Sequence, residues 1–385
     1  MGFEVQSRLD SRTQRQPHAC SLSIGVHCAS RKGEDLHDVR AIRVGGVSLT
    51  VAAVYDGHSG RAAAQLCCDC MAPRIEAYAN ETFEASMSRE DTFEFEHGFG
   101  LLRHIGRCIC NAFKQLHQQI REGDPKVGTT ATVLVVDTAN SQLLCANVGD
   151  SEVMVVDSSH WAMVSTNHRL SANKSEVDRV RRADGAGLAM AVSNDGKRTP
   201  MGGLRLWPGG LALGRSLGDA DCGVAVIAEP ALEMVDVDGE ATVVVASDGV
   251  WGALDHEQVV LAARADRSAD AIARSIVASA VDKAGLRDDT TCMVLQLARR
   301  EEPDATPSSL SDIFLTQPPK PRLSWSTAVD QISRISARLA RLVPSRSLSP
   351  RIRSFSSVEA LPADGESAGT LRQAMLGRSG APTPP

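Results

Sequence analysis

Residues 51–60 read Val-Ala-Ala-Val-Tyr-Asp-Gly-His-Ser-Gly, an apolar run that passes directly into an acid, a glycine and a histidine. An apolar run of this length closed by glycine is typical of a buried strand that ends in a tight turn. Asp-Gly also occurs in hairpin turns, but residues 61–75 lack alternation and are rich in helix formers. The stretch therefore predicts a strand–turn–helix unit with Asp56 and His58 at the strand tip.

Acidic residues stand beside predicted strands at three further places. They are Glu34 with Asp35, Asp248, and Asp288 with Asp289. Carboxylates that gather at strand ends repel one another unless cations lie between them, and hard divalent cations prefer such oxygen ligands. Gly57 lacks a Cβ, so its backbone carbonyl could approach an ion beside Asp56. These positions together predict a cation site built from oxygen ligands.

Taken in chain order, these stretches and others resemble the metal-dependent protein phosphatase family (PPM), the type 2C serine/threonine phosphatases. The motifs are Glu34-Asp35, Asp56-Gly-His-Ser-Gly60, Gly128-Thr-Thr-Ala-Thr132, Ala146-Asn-Val-Gly-Asp-Ser151, Gly214-Arg-Ser-Leu-Gly-Asp219, Ala228-Glu-Pro230, Ser247-Asp-Gly-Val-Trp251 and Arg287-Asp-Asp-Thr290. One Asp-Gly carries little information, whereas eight motifs in the family's order and spacing are specific. The resemblance covers about residues 21–298.

The fold predicted from the pattern is α+β. Strand signals separated by short turns, with helices grouped after particular strands, favour antiparallel sheets over a doubly wound parallel sheet. We expect a four-layer α/β/β/α sandwich, in which two stacked, mainly antiparallel sheets are flanked by helices.

The resemblance implies hydrolysis of phosphoserine and phosphothreonine by a hydroxide activated between two Mn²⁺ or Mg²⁺ ions. It implies that Asp56 bridges the two ions. Glu34 and the Gly57 carbonyl would complete one site, and Asp248 with Asp288 the other. Phosphoproteins are the substrates that this activity implies.

Four further roles follow from the resemblance. Asp35 would orient a metal-bound water, and His58 would protonate the departing alkoxide, a task suited to a side chain that titrates near neutrality. Arg31 would bind the phosphate, and Asp150 would approach an additional metal position. Arg215 is assigned either to substrate contact or to a buried structural ion pair.

Three positions depart from the family's pattern. Arg31 lies three residues before Glu34, where the family commonly has four, and Glu152 stands where the family has arginine. Position 252 is glycine instead of an acid, which predicts a weak additional metal site. The alternative function is therefore a weakly active or inactive phosphatase-like module that binds phosphoproteins or acts as a scaffold.

Composition agrees with one catalytic domain and a tail. The chain has 385 residues, 43% of them hydrophobic, and a formal net charge of −6, which gives no reason to expect nucleic acid as a partner. We expect no transmembrane segment, and the charged, polar start does not resemble a signal peptide. The ten cysteines lack zinc-site spacing. A cytoplasmic or nuclear monomer is the expectation.

The domain prediction has three parts: a flexible start at residues 1–20, a catalytic domain at 21–298, and a tail at 299–385. The tail is rich in Ser, Pro and Arg, which disfavours a packed core. Within it, residues 327–343 would place apolar side chains on one face of a helix and basic side chains mostly on the other. This helix would contact a membrane surface or a partner, or else dock on its own domain.

Overall fold

The structure is a computed structural model that describes residues 19–86, 99–183, 185, 187–192, 200–237, 239–265 and 267–300. Residues 1–18 of the predicted start and the predicted helix near 327–343 lie outside these ranges. Within them, no helix combines the length and apolar character that crossing a membrane requires.

The described residues form fifteen strands, which pair antiparallel. In chain order they are β1 (Cys20–Ala29), β2 (Leu36–Val44), β3 (Val47–Tyr55), β4 (Gly57–His58), β5 (Gly128–Thr129), β6 (Ala131–Asp137), β7 (Gln142–Val148), β8 (Glu152–Val156), β9 (Trp161–Met163), β10 (Gly187–Val192), β11 (Pro200–Trp207), β12 (Leu217–Gly218), β13 (Ala231–Asp236), β14 (Ala241–Ala246) and β15 (Thr290–Arg299). The helices are α1 (Ala62–Ser86), α2 (Phe99–Arg121), α3 (Lys174–Arg181), α4 (Asp248–Trp251), α5 (His256–Ala263) and α6 (Ala269–Ala284), with a 3₁₀ segment at Ala220–Ala225.

Two five-stranded sheets form the centre of the fold. One has the order β1-β15-β14-β8-β9 and the other β13-β7-β6-β3-β2, and every neighbouring pair is antiparallel. A three-stranded sheet, β12-β5-β4, and the hairpin β10-β11 are smaller. The antiparallel prediction is confirmed.

Three apolar cores separate four layers. Between the sheets, Val54 and Leu134 of one sheet belong to the same buried cluster as Val245 and Leu295 of the other. The outer face of the second sheet packs on α1 and α2, and the outer face of the first packs on α4, α5 and α6. Because the central strands, such as β6 and β14, are covered on both faces, they read as nearly continuous apolar runs. The α/β/β/α sandwich is confirmed.

The strand–turn–helix unit of residues 51–75 is also confirmed, since β3 leads through Asp56 and β4 into α1. Residues 80–99 are polar and acidic around phenylalanine, a composition that predicts an insertion or loose loop, but residues 80–86 instead extend α1. Tyr78 and Phe83 pack against the core below the second sheet, and this burial outweighs the polar composition of the segment. A Cβ at Gly45 would overlap the Phe83 ring, so the turn between β2 and β3 requires glycine there.

Candidate metal centre and active site

Three predicted acids converge where strands end. Asp56 follows β3, Asp150 follows β7 and Asp248 begins α4 directly after β14. One oxygen from each carboxylate lies within 4.8 Å of the others. Since β3 and β7 belong to one sheet and β14 to the other, the group lies where the two sheets meet at one edge.

The position of Asp56 is fixed through its backbone. Its amide donates to Thr130 Oγ1 at 3.1 Å, and its carbonyl accepts from the Thr130 amide at 2.9 Å. Thr130 Oγ1 also lies 3.0 Å from Ser151 Oγ, and Thr132 Oγ1 donates to the Ser151 carbonyl. The three motifs around Asp56, Thr130 and Ser151 are therefore tied together by hydroxyl contacts.

Burial and mutual repulsion raise the pKa of Asp56 and of Asp150. Burial raises the pKa of Asp56 well above its ordinary value, and the negative charges of Asp35, Asp248 and Asp150 raise it further. Burial and Asp248 raise the pKa of Asp150 to about 6, against the opposing effect of Arg169. Such crowding of partly buried anions is what a bound cation relieves.

Asp35 lies beside this group with one oxygen satisfied. Its Oδ2 accepts from Ser247 Oγ at 2.8 Å, while its Oδ1 is buried without a hydrogen-bond partner. Burial raises the pKa of Asp35 to about 6. An orphaned carboxylate oxygen beside clustered acids fits a hard divalent cation or its coordinated water, so these residues fit the metal that the sequence predicts.

Glu34 lies against the turn after Asp56. Its Oε1 accepts from the Gly60 amide at 2.6 Å. A Cβ at Gly57 would lie 2.8 Å from the Glu34 carbonyl oxygen, so only glycine permits this approach of the two backbones. Glu34 and Gly57 are thus neighbours, as a shared metal site requires.

The structure places Asp288 apart from the three clustered acids. Its side chain is 42% exposed, and its oxygens lie 2.7 and 2.9 Å from Lys32 Nζ. Its negative charge still contributes to the raised pKa of Asp56. Lys32 Nζ also lies 4.0 Å from Glu34, so this lysine contacts two predicted metal ligands.

Arg31 faces another direction. Its guanidinium donates to the carbonyls of Leu286 and Arg287 at 3.2 and 2.9 Å. To bind a phosphate, this side chain has to leave both carbonyls. Lys32 is the neighbouring basic residue, and its side chain already contacts Glu34 and Asp288.

Asp289, to which the sequence analysis assigned no role of its own, anchors the loop that carries Glu34 and Asp35. Its Oδ1 accepts from the amides of Arg31 and Lys32 at 2.5 and 2.7 Å, and its Oδ2 from those of Glu34 and Asp35 at 2.6 and 3.2 Å. Burial would raise the pKa of Asp289, but these amides outweigh it and hold the pKa well below its usual range. The clue in the sequence is a polar loop whose amides need an acceptor from elsewhere.

His58 is paired with an acid from a distant motif. Its Nε2 donates to Asp219 Oδ1 at 2.7 Å, and Asp219, 3% exposed, also accepts from Ser216 Oγ. Burial would lower the pKa of His58, but the hydrogen bond and charge of Asp219 raise it. A Cβ at Gly128 would lie 2.5 Å from His58 Nε2, so this motif glycine makes room for the pair.

Arg215 forms a structural ion pair, one of the two roles predicted for it. It bonds Glu176 at 3.0 and 2.9 Å and donates to the Glu229 carbonyl. Arg179 binds the other Glu176 oxygen. Burial alone would raise the pKa of Glu176, but the two arginines outweigh it and lower the pKa. This network fixes the segment that carries Asp219.

A two-sheet sandwich with clustered carboxylates at one edge defines an α+β protein with a candidate metal centre. Residues 35–289, about two thirds of the chain, match the family model for protein phosphatase 2C. The chain belongs to the protein phosphatase 2C family.

Relatives agree with this assignment. "Probable protein phosphatase 2C 12" of Arabidopsis thaliana is 30% identical over 289 residues, which cover 73% of this chain and 63% of that protein. "Probable protein phosphatase 2C 69" of Oryza sativa subsp. japonica is 32% identical over 311 residues, covering 78% and 68%. The chain spans about three fifths of the length of the first curated relatives, at 63, 60 and 58%.

Solved structures share the fold. A sex-determining protein of C. elegans superimposes with a TM-score of 0.54 at 21% identity, covering 72% of this chain and 65% of that one. The serine-threonine phosphatase 2C of Toxoplasma gondii has a TM-score of 0.54 at 18% identity, covering 72% and 95%. At these identities the similarity concerns the fold alone.

Proposed function

We propose that this chain is a metal-dependent protein serine/threonine phosphatase that hydrolyses phosphoserine and phosphothreonine in phosphoproteins. The observation that carries the proposal is the convergence of Asp56 and Asp248, whose carboxylate oxygens lie within 4.8 Å of each other. Family membership supports it, and the raised pKa of Asp56 fits a site that a cation completes.

The proposed ligands are those that the resemblance assigns. Asp56 would bridge two Mn²⁺ or Mg²⁺ ions, with Glu34 and the Gly57 carbonyl on one side and Asp248 and Asp288 on the other. When bound, such ions lower the pKa of a coordinated water and neutralise charge on phosphoryl oxygens. Asp288 would have to exchange its contact with Lys32 for the metal.

Hydrogen bonds from neighbouring residues hold the proposed metal-site side chains in position. Ser247 holds one oxygen of Asp35, which leaves the other free to orient a water. The Asp289 carboxylate fixes the loop of Glu34 and Asp35, so these two residues keep their place relative to Asp56. A preorganised site of this kind loses less energy to rearrangement during the reaction.

His58 is the proposed general acid. Asp219 orients the ring through Nε2 and favours its protonated form, which leaves Nδ1 as the nitrogen that can transfer a proton to the departing alkoxide. Serine and threonine alkoxides are poor leaving groups and need this proton, whereas p-nitrophenolate does not.

His58→Ala should therefore lower the turnover of a phosphothreonine peptide far more than that of p-nitrophenyl phosphate. The measurement is kcat on both substrates at saturating Mn²⁺. His160→Ala is the matched control, because the His160 ring is 86% exposed. An equal loss of kcat on both substrates would refute the general-acid role.

Hydrolysis of p-nitrophenyl phosphate with and without Mn²⁺ tests the proposal against the scaffold alternative. For a metal-dependent phosphatase, we expect turnover to appear when Mn²⁺ is added to metal-depleted protein. Binding of a phosphopeptide without hydrolysis, at any Mn²⁺ or Mg²⁺ concentration, would favour the scaffold.

A further inference from the structure

One arginine lies inside the acidic group. Arg169 Nη1 donates to Asp150 Oδ2 at 2.5 Å and to Asp248 Oδ2 at 2.9 Å. Asp150 and Asp248 are two of the three acids whose oxygens cluster. A single guanidinium nitrogen thus bridges two carboxylates, which is the position of a cation between two anions.

The backbone fixes this arginine beside Asp150. The His168 amide donates to the Gly149 carbonyl at 2.9 Å, so the residue before Arg169 is tied to the residue before Asp150. The Arg169 amide donates to Asn167 Oδ1 at 2.8 Å. The guanidinium therefore reaches the two acids from an anchored segment.

Few ligands are available to a divalent ion at the position of the Arg169 guanidinium. The short helix α4 that starts at Asp248 is capped by Gly252, whose amide bonds the Asp248 carbonyl, so position 252 contributes no carboxylate. A divalent ion here would have to displace a guanidinium, which stays charged at every accessible pH. Fewer carboxylates also mean weaker binding.

We propose that the Arg169 guanidinium is a built-in cation that takes the place of a divalent ion between Asp150 and Asp248. Asp150 is then the partner of Arg169 rather than a metal ligand, while Asp248 keeps its other oxygen for the Asp56 site. The inference rests on the proposed metal-dependent function, since it concerns whether a further ion binds beside the two ions that Asp56 would bridge.

Calorimetric titration of metal-depleted protein with Mn²⁺ tests this through the number of ions bound per chain. Arg169→Ala should bind one ion more than the wild type, and Arg169→Lys, which keeps the charge, should bind the wild-type number. Adding Gly252→Asp to Arg169→Ala should tighten the extra site. Arg274→Ala removes an exposed arginine on α6 and should change nothing.

Arg169→Gln is measured in parallel, because it removes the charge and keeps more of the side-chain bulk if Arg169→Ala fails to fold. An Mn²⁺ stoichiometry equal to that of the wild type in every folded charge-removing variant would overturn the inference alone. A wild-type protein that binds no Mn²⁺ would overturn the proposed function together with it.

Discussion

Asp56→Asn should lower the turnover of a phosphothreonine peptide by several orders of magnitude. Asp56 is the proposed bridge between the two ions, and the amide keeps its size while removing its charge. Without that charge the site holds its cations weakly, and the chemistry they supply is lost. The measurement is kcat at saturating Mn²⁺ and peptide.

The same substitution should leave the metal-free protein at least as stable as the wild type. Asp35, Asp150 and Asp248 repel the partly buried Asp56 charge, so neutralising it removes a repulsion rather than a support. Melting temperatures in EDTA measure this. Asp270→Asn, at an exposed carboxylate paired with Arg274, is the control and should keep full activity. Turnover of Asp56→Asn within a few-fold of the wild type would contradict the bridging role.

Asp289→Ala should lose stability and metal affinity together. Four backbone amides and the Ser30 hydroxyl would lose their acceptor, and each buried donor without a partner costs about 1–3 kcal/mol. Water can reach part of this loop, so we expect a net loss of roughly 2 kcal/mol or more in the free energy of unfolding. Denaturant unfolding of the metal-depleted protein measures it.

Two neighbouring variants sharpen this second prediction. Asp289→Asn keeps one acceptor oxygen, so it should satisfy one pair of amides and fall between Asp289→Ala and the wild type. Asp288→Ala removes an acid that is 42% exposed and should reduce turnover with little effect on unfolding. If Asp288→Ala proves the more destabilising of the two alanine variants, the anchoring role of Asp289 is wrong.

The sequence predicted those features that depend on local pattern. The apolar run before Asp56 and the absence of alternation after it were enough for the strand–turn–helix unit, and acids at strand ends were enough for the convergence of Asp56 and Asp248. Antiparallel pairing followed from the short turns. Strands buried on both faces made these runs easy to find.

Side-chain partners that are distant in sequence could not be predicted in this way. The contact of Arg169 with Asp248 joins residues 79 apart, and that of His58 with Asp219 joins residues 161 apart. Asp288 and Asp289 look equivalent as a doublet, but the turn before β15 exposes the first and buries the second against loop amides. The orientation of the Arg31 side chain depends on two backbone carbonyls. Because every residue has a backbone carbonyl, the sequence does not show which ones an arginine will bind.

Release of inorganic phosphate from a phosphothreonine peptide, followed as Mn²⁺ is added to metal-depleted protein, tests whether catalysis depends on metal held at Asp56. We predict no release before metal is added, release that rises to saturation with Mn²⁺, and no comparable rise for Asp56→Asn in the same titration. Release that needs no divalent metal, or that Asp56→Asn supports as well as the wild type, would contradict this prediction.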